Sequence, residues 1–168
     1  MSTQREAGLP LGRAGGGVSI RPARREDVGA IASLAGQFAE YMRELGDTSS
    51  VQLNAAALER DGFGADPAFQ GLVAEVAGDV VGYLLHHSGY DTDQACRLLF
   101  VVDLYVARPA RSKGVGAALM EEARLVAAKA AARQIVWTVD RRNKGALRFY
   151  MGLGAVHVDE LALMCIDV

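Results

Sequence analysis

Residues 111–117, Arg-Ser-Lys-Gly-Val-Gly-Ala, pose the first chemical question. They run without a break into "ALMEEARLV", a helical pattern, although glycine is disfavoured in helices by about 1 kcal/mol against alanine. A helix start leaves backbone N–H groups unpaired and carries roughly half a positive charge. A turn that bares those groups binds phosphate, and glycine keeps side chains out of the way. Arg111 and Lys113 add charge suited to a diphosphate. The stretch therefore reads as a pyrophosphate cradle. It lacks the third glycine of a dinucleotide fingerprint and the GK[ST] ending of a P-loop. On its own it is a short signal, which an ordinary glycine-rich turn also explains.

Other ionisable groups stand in apolar surroundings. Asp103 lies within "LLFVVDLYV", where an unpaired buried carboxylate is expensive. Either a structural partner satisfies it or it faces a substrate cleft; the sequence leaves both open. His86 and His87 are adjacent on a strand and so point to opposite faces. We take His86 as a candidate base or relay and His87 as a substrate-facing group, although packed or surface histidines explain each taken singly. Tyr90 and Asp91 follow in a loop, and Glu40 and Tyr41 end the first long helix; all four can meet a cationic substrate. Solvated loop and helix faces account for them equally well. Trp137 reads as core, and His157 has no assigned role.

The elements that must position these groups follow from composition and period. The chain has 168 residues, 51% of them apolar, which suits one domain with a sizeable core. Net charge is −2, so no general nucleic-acid footprint is expected. Cys96 and Cys165 stand apart, which argues against structural zinc and reads as two buried thiols in a reducing compartment. No apolar run is long enough to span a membrane, and the start has no signal-peptide pattern. We expect a cytoplasmic protein with a flexible tail over residues 1–17 and one domain over 18–168, binding no metal, no nucleic acid and no membrane.

"VSIRPA" reads as a strand, and Val28, Ile31, Leu34, Phe38 and Met42 mark a helix. Asn54 caps a shorter helix. Two strands join at Gly78-Asp79, and 97–106 is apolar enough to be buried on both faces. A helix over 114–131 and a strand over 134–139 complete a right-handed parallel βαβ unit. "NKGALRFYMGLGA" is a short helix closed by Gly152, and "AVHV" and "LALMCID" read as two last strands. The whole is a mixed α/β sheet.

"DLYVARPARSKGVGAAL" and "RRNKGALRFYMGLGA" together resemble two motifs of the GCN5-related N-acetyltransferase superfamily. The first is similar to its [Q/R]-x-x-G-x-[G/A] acetyl-CoA signature. The second is similar to its N-x-x-A-x-x-[FY]-Y stretch, at Asn143, Ala146, Phe149 and Tyr150. "LERDGFGADPAFQGLVAEV", "GYLLHHSGYD", "DLYV" and "FAEYM" look like the diamine (spermidine/spermine-type) acetyltransferase branch. The resemblance covers about Val18 to Asp167. It implies a mostly antiparallel mixed sheet with a central parallel βαβ unit and helices on both faces.

It further implies direct attack of a small-molecule primary amine on acetyl-CoA, with no metal, and a homodimer whose interface could use the last strands. The backbone of Leu104 and Val106 would hold the pantetheine arm, where the sheet is expected to splay. The backbone of Arg111, Ser112, Lys113, Gly114, Val115, Gly116 and Ala117 would hold the pyrophosphate. The Val106 N–H would meet the oxyanion. Asn143 and Ala146 belong to the coenzyme set. Asn143 and Tyr150 are seven positions apart, which places both on one helix face, with Tyr150 as the acid for the leaving thiolate.

The branch carries a Glu-Asp pair where this chain has Val102-Asp103, so the glutamate is gone and Asp103 is the remaining candidate base. A base, or a water chain leading to one, matters because a lysine-like amine is neutral in only about one molecule in a few thousand at pH 7. The acceptors left open are polyamines, lysine-like amino acids, other aminoalkyl compounds and amino-sugar antibiotics. Competing readings are a protein N-terminal or lysine acetyltransferase, a non-catalytic acyl-CoA-binding module, and a nucleotide-phosphate binder of another fold.

Overall fold

A computed structural model describes residues 17–49 and 51–167. Apart from Gly17, the tail expected over residues 1–17 lies outside them. The chain divides into two compact units after Thr138.

The first unit contains β1 (Val18–Pro22), α1 (Val28–Glu44), α2 (Ala55–Asp61), β2 (Gln70–Val76), β3 (Asp79–Asp91), β4 (Cys96–Val106), α3 (Val115–Lys129) and β5 (Ala132–Trp137). The strands form one sheet in the order β1-β2-β3-β4-β5. The first four pair antiparallel and β4 pairs with β5 in parallel, as a strand–helix–strand crossover requires. The expected βαβ unit is present, with α3 shorter than the pattern suggested and β5 lying two residues earlier. The β2–β3 turn places Ala77 at φ +52° and Gly78 at φ +89°, a primed turn whose twist matches the strands it joins.

Alternation along the strands sorts the core onto two faces. Val73, Tyr83, Leu85 and Tyr105 pack with Val28, Ile31, Leu34 and Ala35 of α1 and with Leu58 of α2. The intervening positions face α3: a Cβ placed on Gly82 would come within 3.0 Å of the Tyr105 carbonyl oxygen, 3.3 Å of Val106 Cγ2 and 3.5 Å of Leu119 Cδ1. The α1 helix is anchored at its start by Asp27. That carboxylate accepts from the Arg24 N–H at 2.7 Å and from both terminal nitrogens of Arg21 at 2.7 and 2.8 Å. The Arg21 guanidinium holds Asp27 below the usual carboxylate range. Asn54 caps α2, as expected, by accepting from Ala57 N–H at 3.0 Å.

The second unit contains α4 (Lys144–Gly152). The two last strands do not form: among the described residues, 155–167 carry no strand. Their alternating apolar pattern is real, but a strand exists only through a paired neighbour. Cys96 is buried as expected; Cys165 is exposed, because the strand that would have buried it is absent. Trp137, expected in the core, is half-buried at the end of the edge strand β5.

Candidate active site

Two irregularities meet at the end of β4. Leu85 pairs with Asp103 but His86 pairs with Val101, which leaves Val102 without a partner. This bulge re-aims the strand beyond it. On the other side, pairing of β4 with β5 stops at Val101 and Trp137. Among the described residues, β4 has no strand on its β5 side from Val102 onward, so the backbone edge carrying Leu104 and Val106 can accept an extended amide chain.

The chain then turns through a short 3-10 segment, Arg108–Ala110, into α3. Ser112 sits at φ +60° and Gly114 at φ +80°. The left-handed conformation costs a non-glycine residue roughly 1–2 kcal/mol, so Ser112 is strained at this bend. Gly114 is the N-cap of α3 and supplies no side-chain cap. Ala118 N–H is the first to bond back, to the Gly114 carbonyl at 2.9 Å. The amides of Val115, Gly116 and Ala117 thus precede the helical ladder and are bare. No heavy atom lies within 4 Å of where a Gly114 Cβ would stand. Ser112 and Lys113 are exposed beside this turn. A run of unpaired N–H groups at the positive end of a 15-residue helix, buried at Val115 and part-exposed at Gly116 and Ala117, fits a diphosphate.

Arg111 does not lie there. Its Nε donates to the Val106 carbonyl at 2.9 Å. Its guanidinium carbon lies 4.7 Å from the Tyr41 ring centroid and 5.1 Å from that of Tyr105. The side chain is turned to the α1 face, drawn by the two aromatic faces. The sequence-based idea that it adds charge to the phosphate turn is corrected: among the described residues the basic side chain left exposed there is that of Lys113.

Asp103 shares the α1 face with Tyr83 and Tyr105. The Tyr83 hydroxyl donates to its Oδ2 at 2.5 Å. The carboxylate thus has a structural partner at one oxygen. Burial nonetheless pushes Asp103 up to about 6, against the opposing pull of the Tyr83 hydroxyl and the Leu104 N–H. Because the folded protein favours the protonated acid, stability falls as pH rises from about 4 to about 6 and then stays lower by about 3 kcal/mol. Asp103→Asn should therefore be more stable than the parent at pH 8, by about 2 kcal/mol, with the gap closing at pH 4. Urea unfolding at the two pH values measures this; equal gaps at both would refute the burial of that charge.

The histidines divide as their alternation requires. His86 is 4% exposed and lies on the α3 face, opposite Asp103, and burial lowers its pKa with a smaller push from His87. It lines a cleft of about 490 Å³ with Gln70, Leu99, Val126 and Ala130, and His87 reaches the same cleft. That cleft is at the far end of α3, about 16 Å along the helix from Val115. His86 is therefore not brought together with Asp103. His87 is exposed on the α1 face and stacks on Phe100 at 5.1 Å. Tyr90 is exposed, Asp91 accepts from Gln94 N–H at 3.0 Å in the following turn, and Glu40 is exposed on α1.

In the second unit, Asn143 caps α4 by accepting from Ala146 N–H at 3.0 Å. Its carbonyl oxygen is thereby engaged, and the residue stands before the helix rather than on the same helical face as Tyr150. Tyr150 lies in α4 with its ring 5.0 Å from that of Phe149. Among the described residues no cluster of three or more metal-ligating side chains occurs, and no helix is long and apolar enough to cross a membrane.

Comparison with known proteins agrees with this geometry. Residues 31–155 match the Acetyltransferase (GNAT) family. The chain is 34% identical over 151 residues to the thialysine N-epsilon-acetyltransferase of Bos taurus, covering 85% of this chain and 86% of that protein. It is 28% identical over 114 residues to spermidine/spermine N(1)-acetyltransferase-like protein 1 of Homo sapiens, covering 64% of this chain and 16% of that protein. In fold it is similar to the ribosomal-protein-alanine N-acetyltransferase of Brucella melitensis biovar Abortus 2308, with TM-score 0.72 and 20% identity over 90% of this chain and 99% of that one.

Proposed function

Because the chain belongs to the acetyltransferase (GNAT) family and is an N-acetyltransferase, we propose that it moves an acetyl group from acetyl-CoA to the primary amine of a small molecule by direct attack. The observation that carries this reading is the turn before α3, where bare amides stand beside a β4 edge left open by the bulge and by the early end of β5.

Each requirement of the reaction has a group in this chain. The amides of Val115, Gly116 and Ala117, with Lys113, seat the diphosphate. The edge at Leu104 and Val106 meets the pantetheine amides through the Leu104 carbonyl and the Val106 N–H, since the Leu104 N–H is drawn to Asp103 and the Val106 carbonyl to Arg111. The Val106 N–H faces the oxygen that gains charge as the amine adds, a contribution realised in the transition state. Asp103 takes the amine proton, directly or through water; with its pKa near 6 it is ionised and basic at neutral pH. Tyr150 returns a proton to the departing thiolate. Asn143 acts by fixing the start of α4 through its cap. Tyr90, His87 and Glu40 are exposed, and Asp91 half-buried, among the groups available to a cationic acceptor.

The test is to mix the protein with acetyl-CoA and an amine panel and follow free thiol. The panel should contain polyamines, diamino acids, aminoalkyl compounds, amino sugars and a short peptide. Thiol release with small amines supports the reading. Release with the peptide alone favours a protein acetyltransferase, and coenzyme binding without release across the panel favours an acyl-CoA-binding module.

The partner in solution is a second copy. Val156, Leu161, Leu163, Met164 and Ile166 are 75–89% exposed, and β5 is the outermost strand of the sheet among the described residues. Such a run needs cover, and an open edge invites a strand. Light scattering on the full chain should give a dimer, and Leu161→Glu with Leu163→Glu should give a monomer. A monomeric parent protein would remove the dimer.

A further inference from the structure

We propose that the Arg111 side chain is a specificity element that receives a carboxylate on the acceptor, so that the preferred acceptor is an amine also bearing a carboxylate, such as a diamino acid. The proposal rests on the acetyl-transfer reading above and deepens it.

Three observations converge. The first is how the guanidinium is held. Its Nε is tied to the Val106 carbonyl at 2.9 Å, and the rings of Tyr41 and Tyr105 lie 4.7 and 5.1 Å from its carbon. A cation packed against two rings and tied at Nε keeps one useful surface, the in-plane edge of its two terminal nitrogens. That edge is the fork which meets a carboxylate with two parallel hydrogen bonds.

The second is that the fork is unspent. Among the described residues, neither terminal nitrogen of Arg111 makes a hydrogen bond and no acidic side chain pairs with it. Several other arginines of the first unit find carboxylates: Arg21 with Asp27 and Glu75, Arg25 with Glu59, Arg108 with Glu44. A half-buried guanidinium without an anion is a charge that a ligand can complete.

The third is the side of the sheet. An oxyanion could come from the coenzyme or from the acceptor. The bare amides belong to α3, which packs on the face of Gly82. Arg111 is turned to the opposite face, onto Tyr41 of α1 and Tyr105 of β4. Asp103 stands on that same face two residues before Tyr105, with a carboxylate suited to an ammonium group. One face thus offers an anion and a cation to an acceptor of both charges. The side favours the acceptor's carboxylate over a phosphate of the coenzyme.

L-Lysine and 1,5-diaminopentane differ only by the carboxylate, so their kcat/KM ratio reads the contact. The parent protein should prefer lysine. Arg111→Met should reduce that preference by about 10- to 100-fold, the worth of a charged bidentate hydrogen bond. Arg111→Lys keeps the charge without the fork and should fall between; it also serves if the methionine variant does not fold. An unchanged preference, a parent protein indifferent to the carboxylate, or a loss carried for both amines by the KM for acetyl-CoA overturns the proposal. Failure of every amine in the panel is a different result, which fails the acetyl-transfer reading itself.

Discussion

Tyr150→Phe is expected to lower kcat by about 10²- to 10⁴-fold, with the KM for acetyl-CoA near that of the parent. The ring stays, so its packing beside Phe149 and the α4 helix should survive. What is lost is the proton for the leaving thiolate. The size of the loss should depend on the leaving group: an acetyl thioester of a more acidic thiol needs less help and should lose less rate. Steady-state thiol release, with circular dichroism as a check on folding, measures both. A near-parental rate would remove the assignment.

Gly114→Val is expected to raise the KM for acetyl-CoA by about tenfold or more, since small displacements of positioning groups are costly. Gly114 holds φ +80°, where a β-branched residue is a clear outlier. Strain of about 1–2 kcal/mol should lower the unfolding free energy or shift the turn. No protein atom lies within 4 Å of the new Cβ, so there is no clash with the protein itself to blame. Gly114→Ala, milder in the same direction, should fall between. Isothermal titration with coenzyme A and a thermal melt separate binding from stability. Unchanged coenzyme affinity in the valine variant would mean that the turn does not seat the coenzyme.

Much of the site was legible because it rests on local backbone demands. The two glycines at a helix start announced bare amides, and the apolar run before Pro109 announced a central strand. What was hidden depends on pairing across the sheet. The extra residue at Val102 lies in a run apolar on both sides, so no break in period betrays the bulge. The partner of Asp103 is Tyr83, twenty residues away, and only the β3–β4 register brings them together. The same register puts His86 and Asp103 on opposite faces. The direction of Arg111 depends on Tyr41, from another helix. Asn143 carried both a motif signature and a good capping residue type; the cap was the nearer demand on its side chain. The last strands were misjudged for the opposite reason: alternation was present, but pairing was not.

The central claim is that the backbone of the turn into α3 seats the coenzyme's diphosphate. Titrating the ¹⁵N-labelled protein with coenzyme A and following its amide signals tests this most directly. The largest shifts should fall on Gly114, Val115, Gly116 and Ala117, and they should shrink when the diphosphate is absent from the ligand, as with pantetheine. Binding of coenzyme A that leaves those four amides unmoved would contradict it.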